Sequence, residues 1–166
     1  MSVIRKMIGD AIVDAEERDS VIKPYVLSHG TLECRNLYRS RRFYEEFLGL
    51  ECVVHSPSSM GIRCGMKFHI IAVEVGDSIQ PSALLNHWGL DLRTREEVEQ
   101  AYEDVLAARE EWGIPDVQPL IERHGVYGFY FQDFDGNWWE IEHYPGFLHE
   151  DMFDFGNRYQ LEEPKS

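Results

Sequence analysis

Cysteine is scarce in this chain: Cys34, Cys52 and Cys64 are the only three in 166 residues. Their number is odd and no two are spaced CxxC. Free thiols in a reducing cytosol are therefore expected. Basic residues are also few, 16 Lys and Arg against 30 Asp and Glu, for a formal net charge of −14. Such a chain shows no basic face to neutralise phosphates, which argues against nucleic acid and anionic membrane surfaces as partners. No apolar run reaches the roughly 18 residues of a membrane span. The N-terminal stretch is interrupted by Gly9, Asp10 and Asp14 and lacks the continuous apolar segment of a secretory signal. What is present is globular: 43% hydrophobic and 13% aromatic residues, enough for a real core. Cations and neutral organic molecules remain as partners.

An internal repeat organises the chain. Leu27-Ser28-His29-Gly30-Thr31-Leu32-Glu33-Cys34-Arg35 returns 58 positions later as Leu85-Asn86-His87-Trp88-Gly89-Leu90-Asp91-Leu92-Arg93. A helical pattern follows each copy. In the first, Phe43, Phe47 and Leu48 fall at helical spacing over Arg39 to Leu48, with Gly49 as the stop. In the second, Thr94-x-x-Glu97 reads as a capping box. Val98, Ala101, Tyr102, Val105 and Leu106 then line one face up to Gly113 and Pro115. Three strand-like runs follow each helix: 51–55, 60–64 and 68–75 in the first half, then 117–121, 127–132 and 138–144 in the second. Asp133-Phe134-Asp135-Gly136-Asn137 is the turn of the last hairpin.

Each half thus reads βαβββ. The fold class expected is α+β: two tandem βαβββ modules, residues 25–76 and 83–145, forming one curved, cup-shaped, mostly antiparallel sheet with the helices outside. Residues 1–24 make an N-terminal arm and residues 146–166 an acidic C-terminal tail, both outside the repeat.

The repeat also selects the chemistry. Both copies keep the imidazole while their neighbours drift, so His29 and His87 stand at equivalent places on the first strand of each half. An isolated strand histidine is more often a hydrogen-bonded core or surface residue; the duplication raises this pair above that background. Glu140, between Trp139 and Ile141 on the last strand, is out of place as a carboxylate unless it meets a cation. Two histidines and one carboxylate leave coordination positions open, the ligand set that suits non-haem Fe(II) oxygenases. Glu142 competes with Glu140 but lies one pleat further on, beyond the apolar run.

The paired modules and the His29/His87/Glu140 set resemble the vicinal oxygen chelate superfamily, which includes glyoxalase I, fosfomycin- and bleomycin-resistance proteins and type I extradiol dioxygenases. The stretch Tyr130-x-x-Asp133-x-Asp135-Gly136-Asn137-x-x-Glu140 is typical of it, with Phe134 where proline is usual. Two further runs are similar to the catechol-cleaving extradiol dioxygenases. One is Asn86-His87-Trp88-Gly89-Leu90-Asp91 leading into Glu96-Glu97-Val98; the other is the run 63–72, which looks like the strand bearing their acid–base histidine, here His69. In glyoxalase I and its relatives that position carries a fourth metal ligand.

The resemblance implies a ring-cleaving, extradiol-type dioxygenase acting on a small catechol-like diol. Fe(II), alternatively Mn(II), would be held by His29, His87 and Glu140, with O2 as co-substrate. It implies His69 as the acid–base group, Tyr130 as a hydrogen-bonding partner of the substrate oxygen, and His124 as a counterpart of a second family histidine, displaced by about three residues. Most such dioxygenases carry two paired domains and this chain one, so a homodimer or higher homo-oligomer is expected. The alternative is a glyoxalase- or fosfomycin-resistance-like metal-dependent isomerase, lyase or transferase, for which Glu74 is the only acid on the first-half strand. A metal-free drug-binding protein is the third reading, and the complete ligand set speaks against it.

Overall fold

The computed structural model describes residues 20–22, 24, 27–65 and 68–146; nearly all of the arm and the whole tail from residue 147 lie outside the described residues. The chain divides into two compact units, Met1–Pro81 and Ser82–Ser166. Each carries its own open sheet, and both have the α+β, βαβββ character read from the repeat.

In the first unit, β1 (His29–Cys34) leads into α1 (Leu37–Arg42), which continues as a wider, π-helical turn over Phe43–Phe47. Asn36 caps the start by accepting from the Arg39 N–H at 3.0 Å. The helix therefore begins two residues before the expected Arg39, and Gly49 at φ +69° marks the exit. Three strands follow: β2 (Glu51–Ser56), β3 (Ser59–Arg63) and β4 (His69–Glu74). The sheet order is β1-β4-β3-β2, with β1 parallel to β4 and the other pairs antiparallel. Alternation buries Leu32, Cys34, Ile70 and Ala72 on one face, with Phe43 and Tyr44 of the helical segment also buried. Glu74 accepts a 2.7 Å bond from the Leu37 N–H, so this acid is spent at the start of α1.

The second unit repeats the plan on a larger scale. β5 (His87–Asp91) is followed by α2 (Arg95–Trp112), then β6 (Asp116–Val117), β7 (Ile121–Arg123), β8 (Val126–Gln132) and β9 (Trp138–His143). The capping box forms as expected: Thr94 Oγ1 accepts from the Glu97 N–H, and the Glu97 carboxylate accepts from the Thr94 N–H. Gly113 at φ +69° ends the helix. Val98 and Val105 are buried, and Tyr102 meets Phe129 edge-on with ring centres 5.1 Å apart. Phe129, Phe131, Trp139 and Ile141 fill the same core. The strand expected over 117–121 is corrected to two pieces, β6 and β7. Pro119 has no N–H to give to a ladder, so the run breaks around it. The sheet order is β5-β9-β8-β6, with β7 also on β8 and β5 parallel to β9.

The hairpin between β8 and β9 is tied by one buried carboxylate. Asp133 Oδ1 accepts from the Asp135 and Asn137 N–H groups, both at 2.9 Å, and Oδ2 accepts from Trp139 Nε1 at 3.0 Å. Burial is nonetheless the larger effect and pushes the Asp133 carboxyl up to about 6. A native value above the unfolded one means that the folded chain holds the extra proton between about pH 4 and 6. Stability from this group is present below that window and is lost as pH rises through it. Asp133→Asn cannot titrate there. The stability advantage of the native chain over this variant should therefore shrink by up to roughly 3 kcal/mol between pH 4 and pH 7, read from paired urea melts. A gap that widens with pH would reverse the assignment.

Candidate functional site

The face of the second sheet opposite α2 is built by strand register. Trp138, Glu140 and Glu142 alternate onto it from β9. Across β8 they meet Gln132, Tyr130 and Gly128 in turn, and across β5 they meet His87, Gly89 and Asp91. The row of Glu140 is therefore Gly89–Glu140–Tyr130, with His87 one pleat away on the neighbouring strand. Ile121 and Arg123 of β7 add a fourth edge opposite Gly128 and Val126.

His87, Tyr130 and Glu140 converge there. His87 Nε2 lies 3.0 Å from Glu140 Oε2. Its Nδ1 is 2.9 Å from the Leu84 carbonyl oxygen, which can only accept, so Nδ1 carries the hydrogen. In the neutral imidazole Nε2 then presents a lone pair to a carboxylate, and the pairing needs a shared proton or a cation to hold it. A ring whose far nitrogen is fixed by a backbone carbonyl is the arrangement that orients histidine ligands of metals. The Tyr130 ring stands edge-on to His87 with centres 5.0 Å apart. Burial, and then a hydrogen bond to Glu140, push the Tyr130 hydroxyl well above its ordinary range, with the charges of Glu140 and Glu142 adding to the effect. Tyr130 is a protonated donor throughout the physiological range.

A cavity of about 390 Å³ opens over this face. Leu84, Pro119, Ile121 and Val126 give it an apolar wall, and its polar lining runs in register order from Tyr130 and Glu140, through Glu142 opposite Gly128, to Arg123 and His124 at the turn between β7 and β8. Glu142 is only 8% exposed. Its room comes from two glycines on the flanking strands. A Cβ on Gly89 would lie 3.3 Å from Glu142 Oε1, and one on Gly128 would lie 3.0 Å from Glu142 Cβ and 2.5 Å from the Ile141 carbonyl oxygen. In the sequence Glu142 lies one pleat beyond Glu140, past the apolar run, and nothing marks Arg123. The period-two rule carries the signal for Glu142, whereas Arg123 becomes visible only once β7 is paired with β8.

The remaining candidates, His29 and His69, belong to the first unit. Parallel pairing of β1 with β4 makes them Cα partners, and their rings stack with centres 5.7 Å apart at 21°. Ser28 Oγ lies 2.8 Å from His29 Nδ1. Comparing the two sheets by register, Thr31 pairs with Ile71 as Gly89 pairs with Glu140. The first-unit counterpart of Glu140 is thus apolar Ile71, and His69 stands where the second unit has Trp138. Among the described residues, no three His, Cys, Asp or Glu side chains gather into a metal-holding group. His87 and Glu140 form a pair.

Residues 26–141 match the family model described as Glyoxalase/Bleomycin resistance protein/Dioxygenase superfamily. The chain belongs to this superfamily. Among solved members, the genomically encoded fosfomycin resistance protein FosX of Listeria monocytogenes is 27% identical, with 77% of this chain and 98% of that one covered at a TM-score of 0.59. A hypothetical protein of S. aureus is 26% identical, with coverages of 75% and 99% and a TM-score of 0.55. A glyoxalase/bleomycin resistance protein/dioxygenase of Alicyclobacillus acidocaldarius, 19% identical with coverages of 75% and 95%, shares the fold at 0.53. Another crystal of the Listeria protein holds Mn(II) and sulfate. No curated protein matches the chain. No helix among the described residues is long and apolar enough to cross a membrane.

The glycine floor gives a direct check. Gly128→Ala sets a methyl group against the Ile141 carbonyl, which is backbone and cannot swing away, so β8 and β9 must part. A loss of roughly 1–3 kcal/mol is expected in chemical denaturation. Gly61→Ala, whose Cβ would meet only side-chain atoms at 3.4 Å and beyond, should stay close to the parent. Equal tolerance at both positions would show that the floor is not tight.

Proposed function

We propose that this superfamily member is a divalent-metal-dependent oxygenase that opens the ring of a catechol-like diol in its second-unit pocket. The observation that carries the reading is the apposition of His87 Nε2 and Glu140 Oε2 at 3.0 Å, with the other imidazole nitrogen already committed to Leu84. The pair fits a cation: it offers one nitrogen and one carboxylate oxygen at the edge of a cavity large enough for a small aromatic molecule. The third donor, His29, rests on the sequence repeat, since β1 opens on His29 as β5 opens on His87. Bound Fe(II), alternatively Mn(II), would supply Lewis acidity toward the two diol oxygens and the redox chemistry that O2 requires.

The chain's own groups have separate tasks in this reading. Tyr130, held protonated, donates to a substrate oxygen that has lost its proton. Without a ligand that single hydrogen goes to Glu140, and it would turn to the substrate oxygen once the carboxylate serves a cation. The apolar wall excludes water from the ring. His69, stacked on His29, is the acid–base residue, because imidazole is suited to taking and returning a proton near neutral pH. A homodimer in the cytoplasm, with free thiols at Cys34, Cys52 and Cys64, belongs to the same proposal.

A second reading, a fosfomycin-resistance-like transferase or an isomerase, is favoured by the 27% identity with FosX. Against it, the acid weighed for that chemistry, Glu74, is engaged with the Leu37 N–H.

The test loads the purified protein with Fe(II) and supplies small catechols in air. O2 uptake should match the rise of the yellow ring-opened product, and Zn²⁺ should not replace Fe(II). His29→Ala, His87→Ala and Glu140→Ala should each lose tight metal binding in equilibrium dialysis. His69→Gln should keep the metal yet lose on the order of 10²–10⁴-fold in turnover. Loss of metal in the His69 variant, or anaerobic activity with Zn²⁺ on an epoxide or a thiol adduct, would replace this reading with the second one.

A further inference from the structure

The pocket is electrically lopsided, and the chemistry above uses only one of its ends. Alternation along β7 turns Ile121 and Arg123 into the cavity and Glu122 to the opposite face. There Glu122 holds Arg95 at 2.8 Å, and the Arg95 guanidinium lies 4.0 Å over the Tyr127 ring. Arg95 is thus paired twice. Arg123, among the described residues, has neither an ion pair nor a hydrogen bond, although its charge is felt at Tyr130. Two carboxylates share the cavity with it, and it is bonded to neither. Beside it His124 has φ +55° and Gly125 φ +81°. Two consecutive left-handed residues make the tight hairpin turn that joins β7 to β8 and hold the imidazole at the same edge of the cavity.

Distance says what could use this cation. Arg123 pairs with Val126 in register. Val126 is four residues before Tyr130, so the two backbones stand about 14 Å apart along the strand at roughly 3.4 Å per residue, and the long arginine side chain brings its charge near enough to act on the phenol. Between them lie Gly128, its partner Glu142 and the apolar wall, and a bare ring held at His87, Glu140 and Tyr130 offers the guanidinium no acceptor. In a chain of net charge −14, attraction for an anion cannot come from the overall field and must be local.

We propose that the ligand of this pocket carries a terminal anionic group on an apolar body, and that Arg123 is the residue that selects it. The planar guanidinium fork pairs with two oxygens of a carboxylate or an equivalent oxyanion, and His124 offers a further N–H beside it. This deepens the diol reading, on which it rests for the placement of the reacting oxygens at the Glu140 end.

Calorimetric titration of the purified protein with 3-phenylpropanoate and 3-phenylpropanol tests it without metal or turnover, since the two probes differ in charge at one end. The acid should bind about tenfold more tightly than the alcohol, the size of a charge-assisted hydrogen bond at a partly exposed site. Arg123→Gln should bring the ratio to about one with an unchanged melting temperature, and Arg123→Lys should keep part of the preference. A ratio of one in the parent protein, a ratio that survives Arg123→Gln, or failure of both probes to bind overturns the inference. Failure of the oxygenase reading would appear separately, as absent O2 uptake with every diol while the acid preference stands.

Discussion

The carboxylate of Asp133 is the fixed point from which the second-unit site is set out. It is taken wholly out of water at a cost that raises its pKa, and it is kept there by N–H groups from its own turn and from the Trp139 indole. That last bond matters most for function. A strand's side chains alternate, so fixing Trp139 to the core face fixes Trp138, Glu140 and Glu142 to the other. A slip of one residue would send both carboxylates into the core and two large apolar side chains into the pocket. The turn thus determines which atoms a ligand can meet.

From that register the rest follows by adjacency. Parallel pairing with β5 brings His87 beside Glu140, and antiparallel pairing with β8 brings Tyr130 to its other side. The carboxylate is therefore flanked by an imidazole on one strand and a phenol on the next, each with its orientation fixed by a different partner. The Leu84 carbonyl holds the imidazole, and the carboxylate itself holds the phenol. Superfamily membership is consistent with this economy. A three-strand row needs little more than two turns and one buried anchor to present polar groups side by side.

Much of this was legible in the sequence because it was encoded locally or twice. The repeat marked His29 and His87 and gave the module plan. Thr94, Glu97 and Gly113 announced the ends of α2, and the Asp-Gly-Asn run announced the last turn. What stayed hidden depended on pairing between segments. Nothing near His69 says that β4 runs parallel to β1 in a register that stacks it on His29 rather than matching it to Glu140, whose counterpart is Ile71. Glu142 looked like the end of an apolar run, because the space it fills is made by Gly89 and Gly128 on other strands. Pro119 did carry a readable signal, the break between β6 and β7, which an unbroken strand over 117–121 overlooks.

The two-residue turn at His124 and Gly125 has a consequence for how such a site changes over generations. On the proposed reading it separates the residues that select a ligand from those that meet its diol end. Arg123 and His124 are exposed on the hairpin, whereas Tyr130 and Glu140 are locked into the register that Asp133 sets. A change of the Arg123 side chain can therefore alter the ligand without moving the strands, whereas Gly125 at φ +81° is bound to its turn. On that reading, selectivity is a peripheral trait, separable from the register that holds the strands together.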